Sequence, residues 1–148
     1  MLDRIDEEIL LALRHNARAS FRQMARALKI HPTTLISRVQ KLEKSGIICG
    51  YGANLDLTEL GYEFMGVVQV KIAKGKLLET QEKISRMRGV VAVYDVTGEY
   101  DSVAIVAAKG RDSFSKLLKS FLHLQHVEHT NTQVILNVVK KSWQFEAV

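Results

Sequence analysis

The 148-residue sequence holds one cysteine, one proline and one tryptophan. A single thiol, Cys49, excludes an internal disulfide and any metal site built on several thiolates of one chain. Long apolar runs are missing as well, since none approaches the roughly 18–20 residues that cross a bilayer as a helix. The start, Met1-Leu2-Asp3-Arg4-Ile5-Asp6-Glu7-Glu8, lacks the basic-then-apolar pattern of a secretory leader. A reduced, cytoplasmic protein is therefore expected. Also lacking are a phosphate-binding glycine loop, a supported Ser-His-Asp order and a convincing metal cluster. Neither catalysis nor a cofactor nor a metal is expected.

What is present is unevenly placed. The length allows one large domain or two small ones, and the 47% hydrophobic content fits a globular chain. Net charge is +5, yet residues 14–44 hold eight cations (Arg14, Arg18, Arg22, Arg26, Lys29, Arg38, Lys41 and Lys44) against one acid, Glu43. That segment is +7 and the remainder −2. A concentrated basic block points to a polyanion, although a solvated helix face has a similar composition.

Ile5, Ile9, Ala12 and Leu13 recur at helical spacing and predict a first helix over residues 3–15. Asp3 is placed to cap it and Asp6 to complement its positive end. Ser20 and Gln23 make a capping-box pattern that opens a short second helix with Phe21, Met24, Ala25 and Leu28 inward. Pro32 suits the first turn of a third helix, which runs through Leu35, Val39 and Leu42 and stops at Ser45-Gly46. Three short helices with a tight turn before the last describe a helix-turn-helix unit.

Residues 47–62 read as a short strand and a connecting segment. Beyond them β-branched runs predict strands at 64–72, 90–97, 102–109 and 132–139, with helices at 76–87 and 111–124. Two consecutive βαβ halves predict a ferredoxin-like βαββαβ sandwich, and the whole chain is α+β. The expected division is a helix-turn-helix, winged-helix-like domain over 1–50, a linker over 51–62 and an assembly and effector domain over 63–148. Several of the strands are apolar on both alternating faces. Helices can cover only one face, so the other is expected to be buried in at least a dimer. Trp143 and Phe145 are expected to pack against a subunit.

The third helix is the most informative segment. Opposite its Leu35-Val39-Leu42 stripe lie Thr33, Ser37, Gln40 and Lys44, with Thr34 and Lys41 beside them. Hydroxyls, an amide and cations are what a major-groove helix needs: the amide pairs with adenine, and cations neutralise phosphates. Arg38 lies beside the buried stripe, within reach of a phosphate or of a neighbouring helix. With Arg22 from the second helix, these residues form the expected DNA-binding set.

Leu2-Asp3-x-x-Asp6-x-x-Ile9-Leu10, Asn16-Ala17-Arg18, Leu35-x-x-Arg38-Val39-x-x-Leu42-Glu43-x-x-Gly46-Ile47-Ile48-x-Gly50-Tyr51 and Leu60-Gly61 together resemble the Lrp/AsnC, or feast/famine, transcription regulators. The likeness continues at Gly98-Glu99-Tyr100-Asp101 and Thr130-x-Thr132 and covers essentially the whole chain. It implies a DNA-binding helix-turn-helix unit, a linker strand and a ferredoxin-like domain that assembles dimers, often into octamers, and senses a small amino acid. By resemblance Gly98, Glu99, Tyr100, Asp101, Thr130 and Thr132 line the effector pocket. Read without it, residues 98–101 are a polar turn whose carboxylate and backbone groups have the polarity an amino acid needs.

Two departures stand out. Where the family has glycine, an apolar residue and serine before the third helix, this chain has Lys29-Ile30-His31. A left-handed Lys29 would cost about 1 kcal/mol relative to glycine, and His31 is a weaker cap than serine. His123, His126 and His129 recur every third residue, but a helix ending near Leu124 would not hold them on one face as metal ligands. Cys49 is read as a buried small hydrophobe rather than a redox sensor. The competing function is an amino-acid-binding or RNA-binding assembly protein without sequence-specific DNA binding.

Overall fold

In the computed structural model, which describes residues 2–141, Asp3 opens helix α1 (Arg4–His15) with a full capping box. Its carboxylate accepts from the Asp6 backbone N–H at 2.9 Å, and Asp6 answers to the Asp3 N–H at 3.3 Å. Ser20 and Gln23 do the same for α2 (Phe21–Ala27). Pro32 begins α3 (Pro32–Lys44), whose N-cap His31 makes no side-chain capping bond. Ile9, Leu13, Met24, Ala25, Leu35, Val39 and Leu42 close the core of this unit.

α2 and α3 end alike. At α3 the Ile47 N–H reaches the Leu42 carbonyl and the Gly46 N–H the Glu43 carbonyl, both at 3.0 Å, with Gly46 at φ +74°. At α2 the Ile30 N–H reaches Ala25 at 3.0 Å and the Lys29 N–H reaches Arg26 at 3.3 Å. These are two Schellman closures, each needing a left-handed residue. The second places a lysine there, at φ +54°.

One unit runs to Asn54 and the other spans Leu55–Lys141. Among the described residues, 47–62 contain no strand, contrary to expectation. An extended segment is held by a hydrogen-bonded neighbour, and a single chain offers this one none. Residues 56–62 instead form a turn, with the Tyr62 N–H on the Leu57 carbonyl at 2.8 Å. The first unit is thus three helices with no wing among its described residues.

The second unit runs β1 (Phe64–Ile72), α4 (Leu77–Ser85), β2 (Val90–Asp95), β3 (Ser102–Ala108), α5 (Arg111–Leu122) and β4 (Val127–Ile135). The strands are all antiparallel in the order β2-β3-β1-β4, the ferredoxin-like arrangement. Val68, Val70, Ala104 and Val106 face α4 and α5 and pack with Ile84, Phe114 and Phe121. The alternate residues Met65, Val67, Val103 and Ile105 occupy the helix-free face and are only half-buried. This face is apolar over Met65, Val67, Val103 and Ile105 but polar at Gln69 and Lys71 of β1 and over much of β4, where Asn131 donates to Gln69 at 2.8 Å.

β4 begins five residues before the expected 132 and stops at Ile135 rather than 139. Its first half carries Glu, His, Thr and Asn because it is an edge strand, half solvated. The apolar stretch from 134 drew the expectation too far along the chain. A bulge at Lys71/Ile72, with His126 at φ +76°, sets the register. Trp143 and Phe145 lie outside the described residues.

Candidate functional site

On α3 the buried residues are Leu35, Val39 and Leu42, as the stripe requires, while Thr33, Thr34, Ser37, Gln40, Lys41 and Lys44 are exposed. Thr33, Ser37, Gln40 and Lys44 fall within one narrow arc of the helix, and Thr34 and Lys41 flank it on one side. The amide and the two ammonium groups make no hydrogen bond within the chain among the described residues, so they are free to meet a ligand. Thr33 Oγ1 is engaged with His31 Nδ1 at 2.8 Å, which tethers the first turn in place of a cap. Arg22 is exposed on α2.

Arg38 behaves differently from the rest of the expected set. Its Nη1 donates to both Asp3 oxygens, at 2.7 and 2.6 Å, and to Asp6 Oδ1 at 2.8 Å. Of the two partners open to it, the geometry selects the neighbouring helix. The Arg38 hydrogen bond, with that of the Asp6 N–H second, holds the Asp3 carboxyl below its ordinary range. Reciprocally, the bonds to Asp3 and then Asp6 raise the guanidinium. Asp6 is buried on the same face of α1 as Ile9 and Leu13, and a buried carboxylate needs a cation. That signal was present in the sequence: positions 6, 9 and 13 share a helical face, and Arg38 borders the stripe that meets it.

The C-terminal end of α3 is tied to the chain just beyond it. The Tyr51 hydroxyl donates to Glu43 at 2.8 Å. Burial first, and the Glu43 carboxylate second, push this phenol above its ordinary value. Cys49 is exposed rather than buried as expected, because it follows the end of α3 outside the helical core, and its Sγ lies 3.2 Å from the Gly46 carbonyl oxygen.

In the second unit residues 98–101 join β2 to β3 and fold onto β1. Asp101 Oδ2 accepts from the Ile72 N–H at 2.8 Å and Oδ1 from Lys71 Nζ at 3.2 Å, while the Asp101 N–H donates to the Val70 carbonyl at 3.0 Å. The Ile72 bond is the main reason that the carboxyl lies below its ordinary range, with Lys71 and His129 adding to it. The carboxylate is thus already used to pin the loop. The Tyr100 ring meets the His129 ring edge-on at a centroid distance of 5.5 Å. Gly98 and Glu99 are exposed.

Thr130 and Thr132 pair with Val70 and Val68 and share their helix-packed face, whereas His129 lies with Lys71 on the other. The structure therefore gathers Tyr100, Asp101, Lys71 and His129. It turns the two threonines toward the helices. Lys71 and His129 escaped sequence reasoning because the strand register alone brings them beside the loop. Among the described residues no three His, Cys, Asp or Glu side chains gather as a metal site, and His123, His126 and His129 do not converge.

A three-helix unit that presents a polar third helix, followed by a βαββαβ unit, defines a helix-turn-helix transcriptional regulator. The model of the AsnC-type helix-turn-helix domain matches residues 2–43, and that of the Lrp/AsnC ligand binding domain matches residues 65–145. The chain belongs to the Lrp/AsnC family. It is 36% identical over 146 residues to an uncharacterized HTH-type transcriptional regulator of Pyrococcus abyssi, covering 99% of each chain. It is 37% identical to the HTH-type transcriptional regulator Ptr1 of Methanocaldococcus jannaschii, covering 95% of each. Among solved structures, E. coli AsnC matches with a TM-score of 0.90 at 24% identity, over 95% of this chain and 96% of that one. A Neisseria meningitidis regulator in complex with L-Met matches at 0.85 and 23%, over 95% and 94%.

Proposed function

We propose that this regulator binds duplex DNA sequence-specifically through Thr33, Ser37, Gln40 and Lys44, and that a small amino acid at the 98–101 loop modulates its assembly or affinity. The observation that carries the DNA reading is the exposed polar arc of α3, held over a fully apolar stripe inside the +7 segment. Gln40 reads bases, while Lys41, Lys44 and Arg22 neutralise phosphates. In this reading residues 1–50 bind DNA, 51–62 link, and 63–148 assemble the protein and receive the effector. The helix-free sheet face, apolar over Met65, Val67, Val103 and Ile105, supports a dimer; further association gives an octamer. Its place of action is the cytoplasm.

The amino-acid effector is supported by the L-Met complex of the structural neighbour and by the polarity of the loop. Because Asp101 is pinned to Ile72 and Lys71, the loop offers mainly its backbone groups and the Tyr100 hydroxyl. Titration of operator-length DNA tests the reading. Gln40→Ala should reduce discrimination at particular base pairs, by about 1–3 kcal/mol each. Lys44→Ala should weaken all sequences alike and flatten the salt dependence. Unchanged affinity and slope in both variants would refute the helix assignment, and a preference for RNA over duplex DNA would refute the groove geometry. Repeating the titration with each common amino acid tests the effector, and no response to any would refute that part.

A further inference from the structure

The second unit carries a pocket of about 480 Å³ that neither the reading helix nor the 98–101 loop contributes to. It lies between α5 and the adjoining ends of β2 and β3. Its floor is Gly89 with Ala107 and Ala108. Gly89 sits at φ +94°, and a Cβ there would come 2.8 Å from Leu117 Cδ2 and 2.9 Å from the Ala107 carbonyl oxygen. Only glycine lets the two segments close to this floor.

The walls are cationic. Arg88, Lys109 and Lys116 line the pocket and no acid does. Several other cations of this unit are paired with acids: Lys71 with Asp101, Lys76 and Lys83 with Glu79, Arg86 with Glu82. Arg88 and Lys116 have no carboxylate partner among the described residues, and the Lys109 ammonium lies 5.4 Å from the centroid of the Tyr62 ring, which also lines the pocket. Gathering three like charges at one recess is unfavourable unless an anion joins them.

The polar groups narrow the class of anion. A free α-amino acid is a zwitterion, and its ammonium would find no carboxylate among the pocket's lining residues. A phosphate monoester carries about −1.5 to −2 charges at pH 7 and several acceptor oxygens, which suit a guanidinium and two ammonium groups. The Ser113 hydroxyl already donates to the Gly110 carbonyl at 2.8 Å, and that of Ser120 to Leu117 at 2.5 Å. Both line the pocket as acceptors, which suits the hydroxyls of a sugar. Tyr62 offers a ring face to a planar group. The volume is within the roughly 300–1,000 Å³ usual for small-ligand sites.

We infer that this pocket binds a small phosphate monoester of the nucleoside monophosphate class, with Arg88, Lys109 and Lys116 on the phosphate and Ser113, Ser120 and Tyr62 on the nucleoside. Isothermal titration of the full chain with AMP, and with adenosine as its uncharged counterpart, tests it. AMP should bind at least about tenfold more tightly than adenosine, as charged hydrogen bonds require. Arg88→Ala/Lys116→Ala should lose at least that factor for AMP while keeping its unfolding midpoint and its affinity for duplex DNA, since both side chains are exposed. Adenosine binding as tightly as AMP, or the double variant binding AMP like the parent, would overturn the inference. So would a double variant with weakened duplex binding and a shallower salt slope, which would make these cations contacts to the DNA backbone.

Discussion

Lys29→Gly should stabilise the helix-turn-helix unit. Lys29 occupies the left-handed position of the Schellman closure of α2 at φ +54°, and Gly46 occupies the same position in α3 at φ +74°. An L-residue in this region costs about 1–2 kcal/mol. Glycine gives back roughly 0.5–1 kcal/mol through the greater freedom of its unfolded chain. The net gain is about 0.5–1 kcal/mol, or an unfolding midpoint higher by roughly 2–8 °C for a unit of this size. Lys29→Ala is the control: it removes the same charge but keeps the Cβ, so electrostatics cancels between the two variants. Lys29→Asn, which tolerates the left-handed region, should fall between them. The mirror variant Gly46→Ala should lose a similar amount, and no atom lies within 4 Å of the added Cβ to confuse strain with a clash. Thermal unfolding followed by circular dichroism reads all four. If Lys29→Gly is no more stable than Lys29→Ala, backbone strain is not what distinguishes this turn.

Three further outcomes are expected. Arg38→Ala should lower both the unfolding midpoint and DNA affinity although its guanidinium faces α1, and in a double-mutant cycle with Asp6→Ala the two losses should be far from additive; additive losses would mean that the pair does not act together. Asp101→Asn should speed hydrogen exchange at the Ile72 amide. Because the native Asp101 pKa is lowered, its contribution is complete above about pH 4 and disappears as pH falls through the native value, so the parent should approach the variant only in acid. Ile105→Glu, on the helix-free face, should weaken self-association by at least about tenfold in sedimentation or light scattering, since it would bury an unpaired charge; an unchanged mass would remove that face from the interface.

Much of the first unit was legible in the sequence because its devices are local. The Asp3 cap, the Ser20–Gln23 capping box, the stripe of α3, its stop at Gly46 and the left-handed Lys29 depend on neighbours within four residues. That Asp6 completes a second box escaped sequence reasoning. The long-range features were less legible. The first residue of β4 depends on which part of an edge strand finds β1, so its polar half read as a loop. The facing of Thr130 and Thr132 depends on that register, and a misplaced strand start hides it. The basic pocket is assembled from Arg88, Lys109 and Lys116, which are 28 residues apart at their extremes and share no motif.

The Arg38 clamp makes up for what the turn lacks. α3 begins without a side-chain cap, after a strained lysine, so its N-terminus is missing the local devices that fix α1 and α2. What remains to orient it, besides the His31–Thr33 bond in its first turn, is the apolar stripe, which resists separation but tolerates small rotation about the helix axis, and the Arg38 bonds to Asp3 and Asp6. A hydrogen-bonded charge is directional where hydrophobic contact is not, so the clamp sets which residues of α3 point outward. The Asp3 capping box is part of the same device, because its carboxylate serves the α1 backbone and Arg38 at once. Rotation of the helix by one residue, about 100°, would swing the whole arc of Thr33, Ser37, Gln40 and Lys44 away from the outward face. If α3 reads bases through this arc, its register on the DNA is held by Asp3 and Asp6, and their loss should blur base discrimination before it reduces the salt-dependent attraction to phosphate.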